Sequence, residues 1–148
     1  MLRPAYENEC GFLTELCLRS KAVHGYDADF MAACVDELAV TPKKLAQGGH
    51  VVADQAGKAI GFAQVLEDDD GWWLDALFVS PELIGHGVGK VLLEAVTDLA
   101  RQGGAQGVLI DSDPGAEEFY LSRGAVRVGL SPSGSIPGRF LPQMRLAL

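Results

Sequence analysis

The segment Leu74 to Leu93, LDALFVSPELIGHGVGKVLL, constrains the fold more than any other part of the chain. A short apolar run breaks at Ser80-Pro81, alternating glycines follow at Gly85, Gly87 and Gly89, and an amphipathic helical pattern begins at once. Glycines let the backbone come close to a guest, and the first N–H groups of a helix have no partner inside it. Strand, glycine loop and helix start therefore make an anion site, with phosphate or diphosphate as the natural guest. A P-loop needs lysine followed by serine or threonine, but Lys90 is followed by Val91. A dinucleotide fingerprint needs a third glycine where Lys90 stands, and the hairpin pattern upstream does not suit a parallel nucleotide fold.

Several function classes are disfavoured by composition. The 148 residues are enough for one domain, residues 1–148, with a core that needs no metal or disulfide. A formal charge of -8 argues against nucleic acid as a main partner and is compatible with a cationic or amine substrate. No apolar run reaches membrane-spanning length, so no membrane partner is expected. The start MLRPAYENEC has no apolar signal core, and a cytoplasmic protein is expected. Cys10, Cys17 and Cys34 form no CxxC pair, which argues against a disulfide framework and a zinc site, and no metal is expected. They read as small buried apolar residues.

The periodicity predicts a helix over 7–20 with Phe12, Leu13, Leu16 and Cys17 buried, and a second over 29–38 capped by Asp27 or Asp29. Thr41-Pro42 ends that region. Strands are expected at 50–54 and 60–66, joined by a hairpin at Gln55-Ala56-Gly57-Lys58, and a third at 72–79 after an acidic turn over 67–71. The helix after the glycine loop places Val88, Val91, Leu92, Ala95, Val96 and Leu99 on one stripe, and Gly103-Gly104 stops it. A strand at 107–110, a helix opened by Asp113-Pro114 and closed by Gly124, a strand at 125–129, the loop SPSGSIPGR and a last strand with Met144, Leu146 and Leu148 complete the chain. The class is mixed α/β (α+β): a single, largely antiparallel central sheet flanked by helices on both faces.

The run Val79-Ser80-Pro81-Glu82-Leu83-Ile84-Gly85-His86-Gly87-Val88-Gly89 resembles the acetyl-CoA loop of GNAT-family N-acetyltransferases. That loop has Arg or Gln, two residues, Gly, one residue, then Gly or Ala. Gly87 and Gly89 match, whereas Ile84 stands at the Arg/Gln position, so that side-chain contact is missing. The element order agrees over nearly the whole chain. DPGAEEFYLSRG, residues 113–124, is similar to the family's late helix ending in Tyr-x-x-x-Gly, with Asp113 and Gly115 where the family often has Asn. The tail SGSIPGRFLP resembles a bacterial subgroup of the family.

The resemblance implies the acyl-CoA N-acyltransferase fold and acetyl transfer from acetyl-CoA to a primary amine, on a small molecule or a protein, by direct attack in a ternary complex. It implies a cofactor site built from the backbone of Leu77, Phe78 and Val79, the loop Gly85, His86, Gly87, Val88, Gly89 and Lys90, and the late-helix residues Asp113, Gly115, Ala116, Phe119 and Tyr120. The Val79 N–H would polarise the acetyl oxygen. Tyr120, by spacing alone a core tyrosine, takes the role of leaving-group acid from the resemblance, its phenol being protonated at neutral pH. Asp75, in an otherwise apolar run, is the candidate general base if burial near Trp72 and Trp73 raises its pKa; it reads equally as a solvated or arginine-paired strand-end carboxylate. Glu67 is a weaker substitute.

His24 and Tyr26 border the region where the resembled fold has its acceptor pocket, though packing roles suit them too. Arg139, in a Gly/Pro-rich loop, suits bidentate binding of an acceptor carboxylate or a plain surface position. A homodimer is compatible with the resemblance and the apolar C-terminal strand. A second class of function stays open: a non-catalytic acyl-CoA-binding sensor or interaction module, to which Ile84 and Gly115 lend support.

Overall fold

The computed structural model describes residues 1–148. The chain opens with a short strand β1 (Leu2–Arg3), a 3₁₀ turn (Glu7–Glu9) and helix α1 (Cys10–Ala22), followed by α2 (Ala28–Leu38) and α3 (Pro42–Ala46). A meander follows: β2 (His50–Gln55), β3 (Lys58–Asp68) and β4 (Gly71–Val79). Then come α4 (Val88–Gln102), β5 (Gly107–Asp111), a 3₁₀ turn (Pro114–Ala116), α5 (Glu117–Ser122), β6 (Val126–Pro132) and β7 (Phe140–Ala147). The strands form one seven-stranded sheet in the order β1-β2-β3-β4-β5-β7-β6. Every pairing is antiparallel except β4 with β5. The mixed, largely antiparallel sheet flanked by helices is thus what the sequence predicts. No helix is long and apolar enough to cross a membrane.

Local chemistry explains most element ends. Asp27 caps α2 by accepting from the Phe30 N–H at 2.8 Å. Thr41 caps α3 by accepting from Lys44 N–H, with Pro42 at its first position. The sequence reading ends a region at Thr41-Pro42; the structure starts a helix there. The buried Gln64 amide donates to the carbonyls of Lys44 and Gly48, both at 2.8 Å, and ties the other end of α3 to the sheet. The strand β1 was also not expected. It is held by Arg3, which pairs with Glu9 and Asp54 at 2.7 Å each.

Two apolar clusters sandwich the sheet. One lies under α1, with Leu13, Cys17, Val52 and Phe62; the other lies under α4, with Val65, Leu92, Val96, Ile110 and Met144. Full burial of a side chain such as Leu92 contributes about 2 kcal/mol. Two helix faces differ from expectation. Phe12 is exposed, and the buried side of α1 runs through Leu13, Leu16, Cys17 and Ser20. Val91 is exposed, and Leu93, Thr97 and Ala100 are buried with Leu92 and Val96. In each case the helix sits rotated about its axis, because the sheet and not the helix's own average polarity chooses the face.

The feature that positions the site is a split in the sheet. β4 meets β5 in register only at Trp73 and Leu109, whereas β5 pairs with β7 on its other side along its whole length. Beyond Trp73 the two parallel strands diverge, and β4 keeps only β3 as a neighbour.

Candidate active site

The split opens a cavity of about 530 Å³. One wall is β4 from Leu74 to Val79; the opposite wall is Ile110, Asp111 and the segment from Asp113 to Tyr120. Glycine-loop residues Gly85, Gly87 and Gly89, with Lys90, line one part of it, and Ser20, Lys21, His24, Glu37 and Arg139 line another.

The β4 wall offers unpaired backbone. Ser80 N–H donates to the Ile60 carbonyl at 2.8 Å, and the register pairs Phe78 with Phe62 and Ala76 with Gln64. Alternate residues of an antiparallel pair face the partner strand. The backbone groups of Ala76 and Phe78 therefore face β3, and those of Leu77 and Val79 face the cavity. Phe78, expected to contribute backbone, reaches the cavity wall without free backbone groups. Val79 N–H meets only the Ser20 hydroxyl, at 3.3 Å.

The loop before α4 offers unpaired N–H groups. Gly85 and Gly87 have φ of +87° and +85°, and no atom lies within 4 Å of where a Cβ would stand. This left-handed backbone turns the amides outward at no steric cost only in glycine. His86 N–H donates to the Leu83 carbonyl at 3.1 Å. The N–H groups of Gly85, Gly87, Val88, Gly89 and Lys90 make no hydrogen bond within the protein. His86 is exposed, and neither it nor Val88 lines the cavity by side chain.

Tyr120 is buried in α5 and edge-on to Phe119 at 5.3 Å. Its hydroxyl makes no hydrogen bond within the protein, yet it is not among the sealed-off polar atoms, so it opens on the cavity. Burial and then the Asp113 charge push its pKa up, keeping it a proton donor at neutral pH.

Asp75 requires a correction. It is the extra residue of a β-bulge, since Ala76 pairs with Gln64 and Leu74 with Val65. It lines the cavity but is exposed, so the burial on which its assignment as base leans is missing. Trp72 instead packs on the α4 side, against Gly103, and Trp73 Nε1 donates to Asp68 Oδ1 at 3.1 Å.

Asp113 gathers the remaining candidates. Its Oδ2 accepts from the Tyr26 hydroxyl at 2.7 Å and from Lys21 Nζ at 3.1 Å, and its Oδ1 accepts from Gly115 N–H at 2.9 Å. Arg139 Nη2 lies 3.8 Å from Oδ2 and donates to the Tyr26 hydroxyl at 2.6 Å; His24 Nε2 lies 3.9 Å from Oδ1. Burial alone would raise the Asp113 pKa, but these donors outweigh it and hold the carboxyl below the usual range. The Tyr26 phenol is pushed up to about 12 by burial and by Asp113. The Tyr26 ring stacks on Phe30 at 4.0 Å and, held back from the cavity wall, serves as a link to Arg139. His24 packs directly on Gly115, where any larger residue would collide with its ring. The loop that carries Arg139 is folded on itself: Ser133 Oγ accepts from the N–H groups of Ser135 and Ile136, and Ser133 N–H donates to the Arg139 carbonyl.

Ser20, Lys21 and Glu37 line the cavity and were not singled out in the sequence. A signal existed for Ser20: it is the one hydroxyl on the stripe Leu13, Leu16, Cys17. Lys21 and Glu37 reach the cavity through contacts with Asp113 and Ser135, residues far away in sequence.

Comparison with known proteins bears on this geometry. The family model described as "Acetyltransferase (GNAT) family" matches residues 18–125. The peptidyl-lysine N-acetyltransferase YiaC of Escherichia coli K12 is 32% identical over 98 residues, which span 65% of this chain and 64% of that protein. The match thus covers just under two thirds of the relative's length. A GCN5-related N-acetyltransferase structure from Rhodopseudomonas palustris superposes with a TM-score of 0.80 at 26% identity, covering 100% of this chain and 95% of that one. The PaiA N-acetyltransferase of Thermoplasma acidophilum, in complex with coenzyme A, shares the fold, with a TM-score of 0.77 at 14% identity over 100% and 98% of the two chains.

Proposed function

Since this chain belongs to the GNAT family of acetyltransferases, we propose that its single domain moves an acetyl group from acetyl-CoA to a primary amine by direct attack within a ternary complex. One observation carries the reading: the cavity-facing backbone of Leu77 and Val79 and the free N–H groups of Gly85, Gly87, Gly89 and Lys90 border the same cavity. An extended amide chain can pair with the first, as an added strand would, and a diphosphate with the second. Coenzyme A carries both in one molecule, and the PaiA relative binds it.

Acetyl-CoA supplies the acetyl group as a thioester. This chain's residues do the rest. The N–H groups of Gly85, Gly87, Val88, Gly89 and Lys90 hold the diphosphate. Leu77 and Val79 align the pantetheine arm, and the Val79 N–H polarises the acyl oxygen. Nitrogen–carbon bond formation and carbon–sulfur cleavage leave a thiolate, to which the Tyr120 hydroxyl donates. The amine must shed a proton, since a free alkylammonium has a pKa of about 10.4. Asp75, exposed at the cavity wall, is the carboxylate placed to receive it, directly or through water. Asp113 is occupied by Lys21 and Tyr26, so it shapes the acceptor end and leaves the cofactor to the backbone.

The acceptor is a small-molecule or protein amine; the lysine acetyltransferase among the relatives favours lysine-type amines as the first to try. His24 and Arg139 line its end of the cavity, Tyr26 positions Arg139, and Arg139 keeps guanidinium donors for an acceptor carboxylate. The loop carrying it, SGSIPGR, is the mark of the bacterial subgroup this chain resembles.

A thermal-shift series with acetyl-CoA, CoA, NAD and ATP, followed by an amine screen read through free thiol release, tests the reading. Stabilisation by the two CoA compounds alone, with thiol release on some amine, is the expected result. CoA binding with every amine inert would favour an acyl-CoA sensor. Stabilisation by NAD or ATP in place of CoA would overturn the proposal.

A further inference from the structure

We propose that the Ser20 hydroxyl is a second hydrogen-bond donor to the acyl oxygen, acting beside the Val79 N–H. This rests on the acetyl-transfer reading above and adds to it a catalytic side chain.

Ser20 occupies the last part of α1, 9% exposed, on a stripe otherwise made of Leu13, Leu16 and Cys17. A hydroxyl inside a helix usually spends its proton on the carbonyl four residues back. Thr14 does so, donating to the Cys10 carbonyl at 2.8 Å, and Thr97 does so to the Leu93 carbonyl at 2.8 Å. Ser20 does not. Its only hydrogen bond is the one it accepts from Val79 N–H. The hydroxyl proton is therefore uncommitted, in a group that borders the cavity.

The length of that bond matters as much as its existence. At 3.3 Å it is longer than a well-formed N–H···O bond of about 2.9 Å, so a better acceptor displaces it readily. Two donor atoms 3.3 Å apart can both reach one oxygen lying about 2.9 Å from each. An acyl oxygen that takes the Val79 N–H therefore comes within reach of Ser20 Oγ. The hydroxyl only has to turn its proton toward the oxygen. Before the acyl group arrives, Ser20 keeps the strand N–H partnered; afterwards both groups point at the place where negative charge grows during attack. Donors fixed in advance at such a place stabilise the transition state more than the ground state.

The test uses acetyl-CoA labelled with ¹³C at the carbonyl, bound to the whole protein and read by isotope-edited infrared difference spectroscopy. Wild type, Ser20→Ala and Ser20→Thr are compared, with CoA affinity measured by calorimetry as the reference. In wild type the labelled carbonyl band moves to lower frequency than in solution. Ser20→Ala should lose at least half of that shift while binding CoA within twofold of wild type, and Ser20→Thr should restore most of it. With the amine that wild type acetylates fastest, kcat of Ser20→Ala should fall about 100-fold with KM for acetyl-CoA little changed. A band identical in wild type and Ser20→Ala, both loaded with acetyl-CoA, overturns the role of Ser20 and leaves acetyl transfer standing. Failure of wild type to bind acetyl-CoA overturns both.

Discussion

The Tyr26 hydroxyl donates to Asp113 Oδ2 at 2.7 Å, across 87 residues of chain. That bond ties the α1–α2 turn to the end of β5, and the Arg139 bond to the same hydroxyl brings in the loop before β7. Three segments remote in sequence are thereby fixed around one carboxylate. Replacing Asp113 by Asn should cost about 2 kcal/mol at neutral pH, since hydrogen bonds to a charged group are lost and Lys21 is left without its counter-ion. The pH dependence has a definite sign. The folded-state pKa of Asp113 is depressed, so its contribution is complete above the unfolded value of about 3.9 and is lost as pH falls through the folded value. Denaturant melts at pH 7 and in the acid range should show the Asp113→Asn difference shrinking as pH drops below about 4.

Tyr120→Phe separates a catalytic hydroxyl from a packing ring. Because that hydroxyl bonds to nothing in the protein, its removal should leave stability within about 0.5 kcal/mol. CoA affinity should be retained and kcat should fall about 100-fold. A variant with full turnover would place Tyr120 in the core and nowhere else.

The glycine loop predicts a graded series. Gly87→Ala forces a φ of +85° on a residue with a Cβ, costing about 1–2 kcal/mol of stability, and puts that Cβ where the guest phosphate approaches. CoA affinity should fall at least about tenfold, which corresponds to about 1.4 kcal/mol. Gly89 has ordinary helical backbone and an added Cβ would meet Phe119 at 3.5 Å, a normal contact. Gly89→Ala should therefore fold as well as wild type. Calorimetric titration with CoA across both variants checks the contrast.

His50 presents a stability test remote from the cavity. Both ring nitrogens are buried without a partner, and burial lowers the imidazole pKa. His50→Leu should raise stability by about 1 kcal/mol at pH 7.5. The sign with pH is again fixed. A group whose charged form is disfavoured by folding takes stability away as pH falls below the unfolded value of about 6.5. The advantage of His50→Leu should grow between pH 6.5 and 5 and be constant above, as read from urea midpoints.

Residues whose neighbours are close in sequence were legible. The hairpin at 55–58, the Asp27 cap and the strand–loop–helix passage from Leu74 to Leu93 depend on local backbone chemistry, and the structure places them as read. Residues whose surroundings come from elsewhere were not. Asp75 read equally as a buried base and as a solvated carboxylate, because its apolar flanks do not show that it is the extra residue of a bulge defined by β3, exposed at the cavity wall. Helix α3 has a local start signal in Thr41-Pro42, but its end is held by Gln64 of β3, a contact that no local pattern shows. The order β5-β7-β6, and with it the split that makes the cavity, follows from pairings no single segment encodes. Ser20 was not singled out, because what marks it is the Val79 N–H of β4, 59 residues away in the chain.

The central claim is that main-chain nitrogens at the start of α4 grip the diphosphate of coenzyme A while the outward edge of β4 takes its amide arm. Titrating ¹⁵N-labelled protein with CoA and following each amide in two-dimensional spectra tests this directly. Large, saturable shifts are expected at Gly85, Gly87, Val88, Gly89 and Lys90, further shifts at Leu77 and Val79, and little change at His86, whose N–H is already bonded to Leu83. Saturating CoA that leaves these amides unmoved, or moves only residues elsewhere on the surface, would contradict it.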